Sequence, residues 1–401
     1  FGTRDGIISP GGVGYDINCG CRLMSTNFCY DDVKRLIKEM VSGLFRDIPC
    51  GVGSTGQIKV LGKEACKVMT RGAAWAVQNG YGTPDDLVHT EDRGCMAGAD
   101  PSLISKRAFK RGARQLGTLG AGNHFIELQV VDRVFNRAAA AAFGLTENQV
   151  TVMIHTGSRG FGYQVCDDFL ASMTRAASRY GIHLPDRQLC CAPFSSVEGQ
   201  NYFAAMKCAA NYAWANRQCL THWARESLMH TLRCGPRDLG GCLIYDVAHN
   251  IAKVETHQVA GHNLEVCVHR KGATRAFPAG HPALPEDYRA VGQPVLIPGD
   301  MGTNSYIMVG KKGAMQKTFG STCHGAGRVM SRKKAIREGQ HRSIAGELER
   351  KGIFVMARGR KTLFEEMPDA YKDISSVVDV VEGAGLSEKV VRLRPIGVVK
   401  G

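Results

Sequence analysis

No stretch of the 401-residue chain approaches the roughly 18 to 20 consecutive apolar residues that a bilayer-crossing helix needs. Its longest weakly polar run, Ala138–Phe143, reads as a short alanine helix, and no signal-peptide pattern opens the chain. There is no CxxC pair, which excludes a paired-cysteine zinc ribbon, and no HExxH, which removes the usual metalloprotease signature. Internal repeats, low-complexity tracts and Pro/Ser-rich hinges are also missing. That absence argues for one large mixed domain over residues 1–401 in place of two or three linked units. Acidic residues are scarce beside basic ones, 37 against 51, for a formal charge of +14. Such a balance favours polyanions, either nucleic acid or phosphorylated ligands, over a role in solubility alone. The first residue is Phe1 and a glycine turn follows at once at Pro10–Gly14, so the chain is expected to begin inside a longer protein, N-terminally incomplete.

What is present is apolar enough to fold: 44% hydrophobic and 22% charged residues place the chain outside the disordered class. Fifteen cysteines at irregular spacing and in odd number, most with apolar neighbours, fit a reduced intracellular compartment better than a disulfide framework. Helical periodicity marks Asp31–Phe45, Asn201–Leu232 and Ser331–Lys351. Strand patterns mark Phe125–Val131, Val150–His155, Leu243–Val247, Leu264–His269, Pro294–Ile297 and Ser305–Val309. The interleaving lacks a regular βαβ period, which gives an α+β fold with its site built from loops at strand ends. Two basic groups, Lys106, Arg107, Lys110, Arg111 and Arg114, then Arg328, Arg332, Lys333, Lys334 and Arg337, are either polyanion contacts or solvated helix faces.

Forty-eight glycines concentrate beside His, Asp, Cys and Arg, in loops such as Gly11–Cys21, Gly117–Glu127, His155–Gly162, Pro298–Thr303 and His324–Arg328. Glycine lets a backbone approach a ligand and turn its N–H groups toward phosphate oxygens. Asp16 and Cys19 lie three residues apart after one such turn; a thiolate bridges divalent ions and a carboxylate adds a hard oxygen, although a buried Cys beside an exposed Asp is the simpler reading. His155 ends one apolar strand pattern and His249 follows another, where sites of α/β type gather their ligands. With His124 and Cys19 they form a mixed N/S/O set suited to zinc, manganese or cobalt. His124 opens a strand, and alternation would send Glu127 to the opposite face unless the strand begins after it. His324, followed by glycines and Arg328, reads either as a further ligand or as a nucleophile whose adduct carries a phosphate. The His269–Arg275 loop, with Lys271, suits phosphate or solvent.

In order along the chain, Pro10-Gly-Gly-Val-Gly-Tyr-Asp-Ile-Asn-Cys-Gly20, Gln115-Leu-Gly-Thr-Leu-Gly-Ala-Gly-Asn-His-Phe125, His155-Thr-Gly-Ser-Arg-Gly160, Asp246-Val-Ala-His-Asn250, His269-Arg-Lys-Gly-Ala-Thr274 and Cys323-His-Gly-Ala-Gly-Arg328 resemble the RtcB family of RNA ligases. The resemblance runs nearly end to end and implies an RtcB-type α+β fold. It further implies that Asp16, Cys19, His124, His155 and His249 bind two Mn²⁺ ions, with Cys19 as bridge, and that His324 becomes guanylylated by GTP. Asn123, Glu127, Asn250, Ser305, Gly325, Ala326, Gly327, Tyr371 and Lys400 would line the GMP pocket. Arg159, Lys271 and Arg328 would contact RNA or phosphate. Two departures stand out: Asp300 takes a place expected for a small hydroxyl residue, where it would oppose phosphates or accept a guanine N–H, and Cys21 replaces an apolar residue.

The implied reaction joins an RNA 3′-phosphate or 2′,3′-cyclic phosphate to a 5′-hydroxyl through a guanylylated histidine and an RNA-(3′)pp(5′)G intermediate, in tRNA splicing. Partners would be cleaved RNA such as tRNA exon halves, archease and a multi-subunit tRNA-ligase complex, in the cytoplasm or nucleus and not at a membrane. Two rivals are a metal-dependent phosphoesterase acting on cyclic phosphates and a non-catalytic RNA-binding subunit.

Overall fold

Alternation along Phe125–Val131 organises the molecule: Phe125 and Val131 enter one apolar layer, whereas Ile126, Leu128 and Val130 enter another. The computed structural model in which this is seen describes residues 1–401, apart from the side chain of Arg187. Ten strands matter here: β1 (Gly20–Cys29), β2 (Phe125–Val134), β3 (Gln149–Thr156), β4 (Leu243–Ala248), β5 (Asn250–Val259), β6 (His262–Lys271), β7 (Pro294–Ile297), β8 (Ser305–Gly310), β9 (Phe354–Ala357) and β10 (Ser387–Lys400). All but β5 and β6 join one eight-stranded sheet in the order β7-β8-β10-β2-β3-β1-β4, with β9 added parallel to β10 and every other pair antiparallel. Strands β5 and β6 form a hairpin of their own.

Three helices place the site: α1 (Ile37–Asp47), α2 (Arg159–Arg179) and α3 (Val197–Leu232). One sheet face is covered by α1 and the C-terminal half of α3, through Met40, Val41, Leu44, Leu220 and Leu228. The other carries Leu23, Met153, Val247, Ile307 and Leu393 under Phe143, Ile344 and Leu348. Helix α3 starts where the Ser196 hydroxyl accepts the Gly199 N–H and ends at Arg233 in the left-handed region (φ 51°). Residues 208–221 within it are buried on every side. A helix buried all round is ordinarily apolar, yet Asn211, Asn216, Arg217 and Gln218 lie inside this stretch. Such groups must find partners: Asn216 and Arg217 find theirs in the loops of the site, Asn211 in the Met69 and Met96 backbone, and Gln218 in Asp86 and Arg22.

The six expected strands and the helix at 201–232 are present. Two expected helices are broken. Residues 30–47 fold as a turn at Tyr30–Val33 followed by α1. Residues 331–351 divide into Arg332–Gly339 and Ile344–Arg350, and Phe364 packs closely against Gly339 at the end of the first. Among the described residues no helix is long and apolar enough to cross a membrane, and all fifteen cysteines are free.

Candidate metal and nucleotide site

Lys400, Phe125, His155, Cys21 and Val247 are successive cross-strand partners on β10, β2, β3, β1 and β4. This row marks the end of the sheet where the loops converge. The strand β2 begins at Phe125, after His124, so Glu127 shares the Phe125 face while His124 is free to turn elsewhere. Asp16 and Cys19 stand in the loop before β1, whose Asn18 takes a left-handed conformation (φ 52°).

Five side chains meet there. His124 Nε2 lies 2.8 Å from Asp16 Oδ2 and 3.5 Å from Cys19 Sγ. His155 Nε2 lies 3.3 Å from Cys19 Sγ and 3.2 Å from His249 Nε2. They form two triplets, Asp16/Cys19/His124 and Cys19/His155/His249, that share Cys19. Converging imidazole nitrogens around one sulfur are a donor set for cations, and a shared thiolate serves two of them. His124 Nδ1 faces the Leu119 carbonyl at 3.1 Å, which turns Nε2 inward. Burial, with the neighbouring histidines, holds His155 and His249 well below the usual imidazole range, so both rings are neutral, as ligands must be. Burial pushes the Cys19 thiol well up. Burial also raises Asp16, but the His124 charge and hydrogen bond outweigh it and leave the carboxyl below its ordinary value.

The His324 ring stacks on His249 with centroids 4.3 Å apart and 20° between planes. Its Nδ1 is buried without a hydrogen-bond partner among the described residues. From His324 a cavity of about 210 Å³ extends to Lys400. Asn123, Glu127, Gly325, Ala326, Gly327 and Tyr371 line it, and so does Arg328; Gly327 adopts a φ of 72° that favours glycine. Lys400 Nζ donates to the Gly122 carbonyl at 3.0 Å and lies 5.6 Å from the Phe125 ring centre. Burial pushes Glu127 up to about 8, with Asp300 adding to the effect. Asp300 does stand in the wall, its carboxylate accepting the Gly302 N–H and the Thr303 hydroxyl.

Ser305 and Asn250 stand outside the cavity lining. Ser305 Oγ accepts from Gly299 N–H and Gln129 Nε2, and Asn250 Nδ2 donates to the Asp16 carbonyl. Arg159 lies beneath the metal loop, Nη1 3.3 Å from His124 Nδ1 and Nε donating to the Thr118 hydroxyl. Lys271 Nζ donates to the Gly11 carbonyl at 2.9 Å. Arg328 donates to Tyr371, Glu365 and Met330 and lies against the Tyr371 ring at 4.9 Å. Cys21 is fully buried in the apolar layer.

Sequence reasoning missed Glu366 in the cavity wall and gave Arg332 only as a member of a basic group, and it missed the supports beneath. Arg217 uses all five donors: Nε and Nη2 on Asp246, Nη1 on the Asn18 and Thr156 carbonyls, Nη2 also on Asn18 Oδ1. Asn216 holds the Gly117 and Thr118 N–H groups and the Thr118 and Gly157 carbonyls. Adjacent Asn, Arg and Gln within an alanine- and aromatic-rich helix were the available signal.

A strand-end cluster of imidazoles, thiol and carboxylate beside a cavity lined by both cations and carboxylates is the kind of centre that a metal-dependent enzyme builds. Over residues 1–401 the chain matches the family described as "tRNA-splicing ligase RtcB"; it belongs to that family. It is 57% identical to the tRNA-splicing ligase RtcB of Archaeoglobus fulgidus over 401 residues, all of this chain and 83% of the relative. The protein of that name from Thermococcus kodakarensis is 54% identical over the same 401 residues, again 83% of its length. For Aeropyrum pernix the figures are 52% over 398 residues, 99% of this chain and 82% of the relative.

Proposed function

We propose that this protein is an RNA ligase of tRNA splicing that uses GTP and two Mn²⁺ ions to join an RNA 3′-phosphate or 2′,3′-cyclic phosphate to a 5′-hydroxyl. The observation that carries the reading is the stacking of His324 on His249, which sets a histidine without its own Nδ1 partner against two donor triplets sharing Cys19. Asp16, Cys19 and His124 would hold one ion and Cys19, His155 and His249 the other. When bound, the ions neutralise phosphate charge and lower the pKa of a coordinated hydroxyl.

The remaining work belongs to the chain. Burial lowers the His324 pKa and so favours a neutral ring able to attack. A ring nitrogen bonds to the α-phosphorus of GTP as pyrophosphate leaves. Lys400 and Glu127 face the guanine end of the cavity, and the Gly325–Gly327 turn accommodates the phosphate. Water opens any cyclic phosphate. The GMP then passes from His324 to the RNA 3′-phosphate, and the 5′-hydroxyl attacks that phosphorus as GMP leaves. Such displacement needs chiefly alignment and charge stabilisation. By the same reading its partners are cleaved RNA, archease and a multi-subunit ligase complex, in the cytoplasm or nucleus.

Incubation with Mn²⁺ and GTP labelled at the α-phosphorus tests this. An acid-labile GMP adduct that His324→Ala abolishes is expected; a phosphoesterase or a passive RNA-binding subunit forms none.

A further inference from the structure

Tyr15 and Tyr163 form an exposed aromatic pair immediately outside the metal loop. Their rings stack at 4.7 Å with 22° between planes, yet they remain 42% and 45% exposed. Stacked rings ordinarily bury their area, so this much open aromatic surface is unspent. Tyr15 directly precedes Asp16, and Tyr163 lies one turn into α2, whose first residue is Arg159. The Arg111 guanidinium lies over the Tyr163 ring at 5.1 Å. Arg111 belongs to the helix Lys106–Gly112 that packs on α2 and presents exposed Lys106, Arg107 and Lys110 as well. Two exposed carboxylates on α2, Asp167 and Asp168, are hydrogen-bonded by the neutral Gln164 and Ser105 and are outnumbered by the cations Lys106, Arg107, Lys110, Arg111 and Lys271. Beside Tyr15 a second cavity, about 300 Å³, runs between Gly11, Gly14 and Leu170 to Lys271. The residue after Lys271, Gly272, faces His324: a Cβ there would lie 3.5 Å from its Nε2.

We propose that Tyr15 and Tyr163, with Arg111 and Lys271, are a stacking platform for unpaired bases of the RNA strand that enters the metal centre. Aromatic faces interleaved with cations are the chemistry that holds single strands without regard to sequence. The excess of cations around the pair favours RNA over an apolar protein segment. This inference rests on the RNA-ligase reading for the identity of the strand, while the platform itself is measurable without ligation.

The test is fluorescence anisotropy with the full chain, Mn²⁺ and a short fluorescein-labelled single-stranded RNA bearing a 5′-hydroxyl. Tyr15→Ala and Tyr163→Ala should each weaken binding by about 5- to 150-fold, as loss of one stacked base does. Tyr163→Phe should bind like the unaltered chain, which separates stacking from misfolding. Removing stacking should leave the salt dependence of binding unchanged, whereas Arg111→Ala should reduce its slope by about one contact. Equal RNA affinity in both alanine variants would overturn the proposal, as would loss of self-association in place of RNA binding. GMP labelling of the same samples separates the two readings. Label with unaltered RNA affinity sinks only the platform; weakened RNA binding without label in the unaltered chain supports the platform and sinks only the ligase.

Discussion

Two buried polar clusters occupy the same end of the sheet on opposite faces, since Cys21 and Arg22 are adjacent on β1 and point oppositely. Beneath the site a continuous chain links Arg225, Asp86, Gln218, Arg22, Asp246, Arg217 and Asn18 at 2.6–2.9 Å. None of these side chains has a buried polar atom left without a partner. On the other face the Cys19, His124, His155 and His249 donors converge on one another, and among the described residues His324 Nδ1 and Gln129 Oε1 have no hydrogen-bond partner, while Glu366 Oε1 lies 3.3 Å from Arg328 without a hydrogen bond. Both clusters are polar and largely buried; saturation is what differs. A saturated cluster holds the fold, and an unsaturated one is shaped for something that arrives from outside. Arg217 connects the two, because the same guanidinium that pairs with Asp246 holds the Asn18 backbone of the metal loop.

That distinction is broken most severely by a pair of substitutions. Arg217→Met strips Asp246 of one cation and releases Asn18, and should cost about 3–5 kcal/mol in urea unfolding. Cys19→Ser, on the unsaturated side, should change metal-free stability by about 1 kcal/mol or less. Its Mn²⁺ affinity should nevertheless fall by more than the roughly 10- to 100-fold that loss of a supporting contact costs. Comparable destabilisation in the two variants would erase the contrast between the clusters.

A smaller effect sharpens the saturated side. Burial alone would raise the Asp86 carboxyl, but the hydrogen bonds and charge of Arg225, aided by Arg22, pull it down to about 2. A depressed carboxylate stabilises the fold above its unfolded pKa and loses that contribution as pH falls toward the folded value. Asp86→Asn should therefore cost about 2 kcal/mol near neutrality. The gap from the unaltered chain should narrow as pH drops from about 4 toward 2, read by chemical unfolding across that range. A pH-independent gap would assign the loss to geometry instead of charge.

The residues of the unsaturated cluster were legible in the sequence because each stands at a strand end, Asp16, Cys19, His124 and His155 beside glycines and His249 just after an apolar strand pattern, where few structural reasons for Asp, Cys or His compete. Arg217 and Asn216 were not, since helical periodicity describes which face is apolar and says little about a helix buried on all sides. Strand β10 was also missed: Pro395 and Gly397 stand within it, and register shifts at Arg392/Leu393 and Pro395/Gly397 break the period of two. Yet β10 carries Lys400 to the cavity. Glu366 gave no local signal, because its role depends on the fold bringing it beside Tyr371 and Arg328.

The most direct measurement is the fate of a labelled RNA 3′-phosphate, incubated with a 5′-hydroxyl strand, GTP and Mn²⁺. The account predicts that the labelled phosphorus is retained in the joined strand's new phosphodiester, and that His324→Ala joins nothing. Release of the label as inorganic phosphate, or a cyclic phosphate merely opened with no joined product, would contradict it.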